Sequence, residues 1–442
     1  QRNMQQNYKR LGDYIRLVNV RNGDGSIKEL LGININKFFM PSVANVVGTD
    51  LSKYKVVSKN QFACNRMHVG RDYRIPIAKS DSPTKFIVSP AYDVFEVIDE
   101  HEVLPDYLML WFKRKEFDRN AWFYTDADVR GGLSWTAFSN IQFPLISISK
   151  QKEIIAEYEA VEERIRLNNT LCEKLEETAQ TLYRHWFEDF EFPYSRHCEE
   201  RGTSDEAISL NALPKVAENS AVYKRNNSTS IAVGYKSAGG EMVYSEELGK
   251  EIPKGWRVGS LRDLVTTQYG YTATANYENF IHFLRITDIV GRFINWNSVP
   301  YCEISQNELE KYELEKDDII VSRTGANVGY AKVLFSTPRK AVFASFLVRL
   351  RVVKKCYQNI VALRVLSDDY KKFVLSISEG SAQPQANANI LTKMNIIIPD
   401  EQSANRFQEK VERIFLKIEN ANQQTQKLEE LKSLLLGRMA VE

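Results

Sequence analysis

The chain has 442 residues, five of them cysteine, and a net charge of only +2. That length exceeds one ordinary hydrophobic core and predicts at least two domains. No run of eighteen apolar residues is present, and the start, QRNMQQNYKRLGDYI, lacks the apolar core of a signal peptide, so no membrane association is expected. Cys64, Cys172, Cys198, Cys302 and Cys356 show no CxxC spacing, which argues against a disulfide framework or zinc knuckle and for a reducing cytoplasm.

Residues 1–148 carry 20 Lys and Arg against 16 Asp and Glu, a mildly basic block. Within it, Gln61–Arg71 (QFACNRMHVGR) predicts an apolar strand running into a loop that ends at glycine. Phe86–Val97 (FIVSPAYDVFEV) predicts a further strand, 105–118 a helix, and IQFP a short strand ending at Pro144. A long helix then fills 149–190. Ile154, Tyr158, Val161, Ile165, Asn168, Cys172, Leu175, Ala179, Leu182 and Trp186 alternate by four and three, a seam two residues wide in every seven. From 151 to 188 such a helix extends roughly 57 Å and calls for another helix rather than a broad core.

Residues 191–255 form a linker, and 194–232 within it are polar and aperiodic. The order then repeats. The second domain is expected over 256–400, and residues 256–399 of it carry 18 Lys and Arg against 13 Asp and Glu. Ile320–Tyr330 (IVSRTGANVGY) corresponds to Gln61–Arg71, Ala341–Val352 to Phe86–Val97, a helix at 358–376 to that at 105–118, and IIIP before Asp400 to IQFP. A second long helix fills 401–442, and a shift of 253 residues carries the first seam onto Phe407, Val411, Ile414, Ile418, Ala421, Thr425, Leu428, Lys432, Leu435 and Met439. Lys432 is the one poor fit, and Asn168 is a polar seam residue of the kind that sets register. The predicted fold class is α+β, with two mixed α/β domains, each followed by a long helix. The helices pair as an antiparallel coiled coil, and the halves are related by internal pseudo-two-fold symmetry. The aromatics from Trp186 to Phe192 either close the helix bundle or face a partner.

Catalytic constellations are not found. There is no Walker loop, HExxH, GxSxG or methyltransferase signature, and the carboxylate pairs Asp317-Asp318 and Asp368-Asp369 lack the strand-borne Glu-x-Lys of a metal nuclease. Adjacent carboxylates on a strand point to opposite faces, a poor geometry for one metal. No catalytic or metal-binding residue is expected.

The run TLYRHWFEDFEFP followed by GGEMVYSEELGKEIPKGW, with MPSVANVVGTDLSKY, VSPAYDVFEVIDE, YGYTATA, LRITDI and VSRTGANVGY, resembles type I restriction-modification specificity subunits over nearly the whole chain. The resemblance implies a cytoplasmic host-defence protein with two target-recognition domains, each reading half of a bipartite sequence in double-stranded DNA. It further implies helices that set the spacing, two methyltransferase subunits, and restriction motor-nuclease subunits. S-adenosylmethionine, ATP and Mg2+ would bind to those partners, and this chain would bind none. Residues 194–232 depart from the family pattern, and SRHCEERGTSDEAI resembles a translated palindromic genomic repeat, so an insertion is expected there. The rival reading is a coiled-coil scaffold whose two heads bind proteins.

Base edges are read by side chains such as Arg, Asn and Gln, and phosphates are held by cations, hydroxyls and amides. In the first half the candidates for DNA contact are Arg21, Asn22, Asn65, Arg66, His68, Arg71 and Arg130. In the second they are Tyr269, Tyr271, Arg285, Arg323, Thr324, Asn327, Gln383, Gln385 and Asn387. Tyr271 is also suited to packing and Arg285 to pairing with Asp288.

Overall fold

The computed structural model describes residues 8–42, 48–67, 69–125, 132–194, 233–338, 340–378 and 385–439. The chain divides into two compact units, the first comprising 1–168 and 424–442, the second 169–423.

The first unit begins with β1 (Tyr8–Arg10), β2 (Ile15–Val18), β3 (Leu31–Ile33), β4 (Phe39–Pro41), β5 (Lys55–Val57) and β6 (Phe62–Cys64). A single helical turn, α1 (Val69–Asp72), precedes β7 (Ile77–Lys79), β8 (Phe86–Val88) and β9 (Asp93–Val97). Three helices follow, α2 (Pro105–Phe112), α3 (Lys115–Phe123) and α4 (Trp135–Asn140), then β10 (Gln142–Pro144) and the long α5 (Ile148–Phe187). The main sheet is antiparallel in the order β2-β9-β6-β7, while β1 pairs with β10 and β5 with β8. All three residues of β6 are buried, as expected of a strand covered on both faces. Phe62 stacks on Phe95 with ring centres 5.0 Å apart, and Phe112 of α2 meets both rings edge-on. Pro105 starts α2 at a position where its missing N–H costs nothing, and the helix is apolar nearly all round because it is buried nearly all round.

The second unit has β11 (Pro193–Tyr194), β12 (Val233–Gly234), the hairpin β13 (Met242–Ser245) and β14 (Lys250–Pro253), β15 (Arg257–Ser260) and β16 (Val265–Tyr269). Next come β17 (Ile281–Leu284), α6 (Ile286–Ile289), β18 (Tyr301–Cys302), α7 (Gln306–Tyr312), β19 (Ile319–Ser322), β20 (Ala331–Val333), β21 (Ala341–Phe343) and β22 (Leu347–Val352). The unit continues through α8 (Gln358–Leu366), α9 (Asp368–Ser378), α10 (Ala388–Leu391) and β23 (Asn395–Ile398) into the long α11 (Glu401–Arg438). Its main sheet, β16-β22-β19-β20, repeats the strand order and antiparallel sense of the first unit, and β15 with β23 repeats β1 with β10. Outside these shared strands the copies differ: β21 pairs in parallel with β17, whereas β8 pairs antiparallel with β5 and makes a parallel bridge from Ile87 to Leu30.

Each unit holds a stretch of both long helices, which run antiparallel. In the first, Glu162 pairs with Lys432 at 3.0 Å, Glu157 with Arg438 at 3.3 Å, and buried Asn168 meets Thr425 at 3.4 Å. In the second, Cys172 lies against the Ile418 carbonyl, and Trp186, Phe187 and Tyr183 pack on Phe407. The seam is buried almost as the heptad pattern predicts, but it widens in the second unit. There Leu182 is half-buried while Tyr183 and Phe187 are buried, because α5 also packs on its own domain. Lys432, the poor fit, reaches Glu162 and lies 5.6 Å from the Tyr158 ring, which Lys113 approaches from 4.9 Å. Burial pushes the Lys113 ammonium down and the Tyr158 phenol up. Trp186, Phe187, Phe190 and Phe192 are buried with Trp256, whose indole N–H donates to Asp400 at 3.0 Å, so these aromatics close the bundle.

The structure corrects the expected strands 86–97 and 341–352, the helices 105–118 and 358–376, and the loop after β6. The run Phe86–Val97 is two strands, because Pro90 and the Ser89–Tyr92 turn break it and send β8 and β9 to different sheets. Ala341–Val352 splits in the same way at the Ala344–Leu347 turn. The helices expected at 105–118 and 358–376 are each two, the second break being capped by Ser367, whose hydroxyl accepts from the Tyr370 N–H. The loop expected after β6 contains α1.

Residues 195–232 lie outside the described residues, but their flanks are placed: β11 pairs with β12, with Tyr194 opposite Val233. Chain ends already paired this way suit a two-residue turn. Replacing 195–232 by Asn-Gly is therefore expected to leave the melting temperature within a few degrees and assembly intact, as a thermal scan and co-purification would show.

In the second unit, Arg292 reaches Glu173 of α5 at 2.7 Å, and Lys332 holds the Arg292 loop by donating to the Gly291 and Arg292 carbonyls. Burial lowers the Lys332 ammonium to about 8 from its ordinary 10.5. Between those values the unfolded chain binds more protons, so this group makes stability rise with pH, by on the order of 3 kcal/mol in full. Lys332→Met is expected to lose that contribution, visible as a difference in the pH slope of denaturant-unfolding free energy between pH 7.5 and 10.

Candidate functional site

In the second unit, β19 ends at Ser322 and releases the chain into a loop tied on two sides. The Arg323 N–H donates to the Phe346 carbonyl at 3.1 Å, and the Arg323 carbonyl accepts from Ala386 at 2.8 Å. Thr324 bridges to Gln385. The Arg323 guanidinium lies 5.0 Å over the Tyr269 ring, donates to the Ser345 carbonyl at 3.3 Å, and leaves its Nε buried without a partner. The Tyr269 hydroxyl accepts from the Ala388 N–H, and Asn387 caps α10 through Ile390. Gly325 and Gly329, both at positive φ, bracket the 325–329 turn, a conformation side chains resist. The fold thus gathers Tyr269, Arg323, Thr324, Gln385 and Asn387 from three separate stretches, with Gln385, Asn387 and Tyr269 exposed. Asn327 ends the same turn.

Two further candidates serve other ends. Tyr271 bridges Ala344 and packs 5.4 Å from Tyr312, and its phenol is raised by a hydrogen bond to Glu308. Arg285 pairs with Asp288 at 3.0 Å and caps α6, as its spacing suggested.

The first unit corrects the expectation more strongly. Arg66 is committed internally: its Nε donates to Asp93 at 2.6 Å, its guanidinium also reaches the Leu133 carbonyl, and it lies 5.8 Å from the Trp135 ring. It therefore joins the exit of β6 to the start of β9 and the approach to α4. Asn22 is buried and closes its loop, bonding to Ile27 through both carboxamide atoms, so it has no surface to offer. Asn65 accepts from Met67 and shapes the loop. Arg71 is exposed and paired with neighbouring Asp72, and Arg21 is exposed beside Lys55. His68, Arg130 and Gln383 lie outside the described residues.

Some features escaped the sequence reading. Asp318 is no acid of a metal pair: it is buried and takes Arg351 at 2.8 Å and Arg349 at 3.4 Å. The alternation of Arg349 and Arg351 within LVRLRV was its only signal. Exposed aromatics were also missed, among them Tyr73 and Trp122 in the first unit and Phe346 in the second. Among the described residues no group of three His, Cys, Asp or Glu could hold a metal ion, and no helix is long and apolar enough to cross a membrane.

Residues 253–433 match the family described as Type I restriction modification DNA specificity domain. The chain is 23% identical to the Haemophilus influenzae type I restriction enzyme HindI specificity subunit, over 97% of both chains. It is 24% identical to the Methanocaldococcus jannaschii MjaIX specificity subunit over 78% of this chain and 70% of that one. A crystal structure of a type I restriction-modification S subunit from M. genitalium shares the fold with a TM-score of 0.50 at 11% identity, covering 98% and 95% of the two chains. Both of these curated relatives are type I restriction enzyme specificity subunits, and the matched family model covers the second half of this chain.

Arg66→Ala is expected to destabilise the first unit by about 3 kcal/mol, because it removes the bonds to Asp93 and Leu133 and leaves Asp93 the more distant Lys55 at 3.8 Å. Gln385→Ala, on the surface, should stay within about 0.5 kcal/mol of the parent. Denaturant unfolding of the two variants separates the architectural residue from the available one.

Proposed function

We propose that this chain is the DNA-reading subunit of a type I restriction-modification complex, with each unit reading one half of a bipartite target. The observation that supports this most is the duplicated strand order, β2-β9-β6-β7 and β16-β22-β19-β20, each copy followed by one long helix. Two similar readers on one chain suit a target with two parts. In the second unit the loop set Tyr269, Arg323, Gln385 and Asn387 meets base edges, since Arg, Gln and Asn are the side chains whose paired hydrogen-bonding atoms match purines. In the first, Arg71 and Arg21 hold phosphates.

The long helices recruit methyltransferase subunits, and the motor-nuclease subunits join that assembly. S-adenosylmethionine, ATP and Mg2+ bind to those partners, and this chain contributes recognition rather than a catalytic group. The number of turns in α5 and α11 sets the spacer between half-sites; α5 has 40 residues, roughly 60 Å of helix.

Co-expression with the cognate methyltransferase, followed by genome-wide mapping of methylated adenine, tests the reading. One bipartite motif is expected. Gln385→Ala or Arg323→Ala should relax only one half of it, and one extra turn in both helices should lengthen the spacer while leaving both halves unchanged. A scattered or unaltered methylation pattern in all of these would overturn the proposal.

A further inference from the structure

Among the described residues of the first unit, the surface least explained by folding is aromatic. Tyr73 is 63% exposed, Trp122 45% and Phe123 77%, although rings of this size are normally covered. Tyr73 and Trp122 touch, with ring centres 5.4 Å apart and planes at 50°. Tyr73 also has a backbone φ of +56°, a conformation that an aromatic residue adopts at a cost and that persists where its surroundings impose it. Its N–H closes α1 by donating to the Val69 carbonyl at 2.9 Å. The same short stretch carries exposed Arg71 and Arg74, and α3 adds exposed Lys115 and Arg119; among the described residues of these two stretches the acids are Asp72, Glu116 and Asp118, the last buried and paired with Lys37.

The position in the fold has a counterpart. Tyr73 follows the loop that leaves β6, and in the second unit exposed Phe346 and Tyr269 border the loop that leaves β19, the equivalent strand. Both units therefore place bare rings where polar loop residues emerge.

We propose that Tyr73 and Trp122 form a wedge that enters a base step of the half-site read by the first unit, with the neighbouring arginines on the flanking phosphates. This rests on the DNA-reading function proposed above. The two rings are already in contact, so no base fits between them, and the pair can act only from one outer edge or face. Apolar side chains that part a base step work in this way, unstacking it and bending the duplex. The cationic rim favours a polyanion over a protein surface as the occupant.

The test uses the complex of this chain with its methyltransferase and duplexes carrying the mapped target. 2-Aminopurine is placed step by step through the first half-site, away from the methylated adenine. Fluorescence should rise several-fold at one step for the parent complex. Tyr73→Ala and Trp122→Ala should abolish that rise and weaken binding about tenfold, by the same factor at every salt concentration, because no charge is removed. Trp122→Phe should retain most of both. Unchanged fluorescence and affinity in the alanine variants would overturn the wedge while leaving the DNA reading standing. Alanine variants that bind DNA normally once assembled but no longer hold the methyltransferase would overturn it in favour of a protein contact. A parent complex that binds no duplex in a salt-sensitive manner would sink the reading and the wedge together.

Discussion

The narrow apolar seam of the long helices is the constraint from which the rest follows. A helix of 40 residues with two apolar positions in seven cannot bury its stripe alone, and isolated helices gain little from propensity. The partner is supplied by the same chain, and α5 and α11 run antiparallel. Each compact unit then contains a stretch of both helices as part of its own core. In the first unit, Ile154 and Tyr158 share a cluster with Phe143, Tyr107 and Met439; in the second, Ala179 and Phe407 share one with Val361 and Ile396. Each unit is thereby built onto the helices rather than tethered to them.

The two copies show how one fold tolerates different surface chemistry. Opposite the last residue of β6 stands Asp93, a carboxylate that draws Arg66 inward. Opposite the last residue of β19 stands Leu347, which offers no charge, so Arg323 lies on the Tyr269 ring at the edge of an exposed loop set. One residue on the neighbouring strand decides whether a nearby arginine is drawn into an ion pair or laid on a ring at the edge of a loop. The same logic accounts for Asp318, which two arginines of β22 hold as a buried ion-pair partner. A buried carboxylate with two guanidinium groups is stable only as a set, so none of the three is available for chemistry.

Helix positions and the duplication were legible because they rest on periodicity, which is a property of the chain. The four-three alternation follows from the pitch of the helix, and Ile154, Cys172, Phe407 and Ile418 could be assigned to the seam without coordinates. The apolar runs 86–97 and 341–352 were legible as strands but not as pairs of strands, because local propensity does not say to which sheet each end goes. The loop residues were least legible. Asn22, Arg66 and Gln385 are all plausible contact residues by type, yet Asn22 staples a turn, Arg66 anchors a strand, and only Gln385 faces outward.

The sequence by itself determined the repeat, the two long helices and the family resemblance carried by its motifs, while the meeting of Asn168 with Thr425 came from the structure. Only the tertiary structure decided which polar side chains remain available, because availability depends on what lies across the sheet or loop, often tens of residues away. It also decided that Tyr73 and Trp122 stand bare together, a contact across 49 positions that no local pattern encodes.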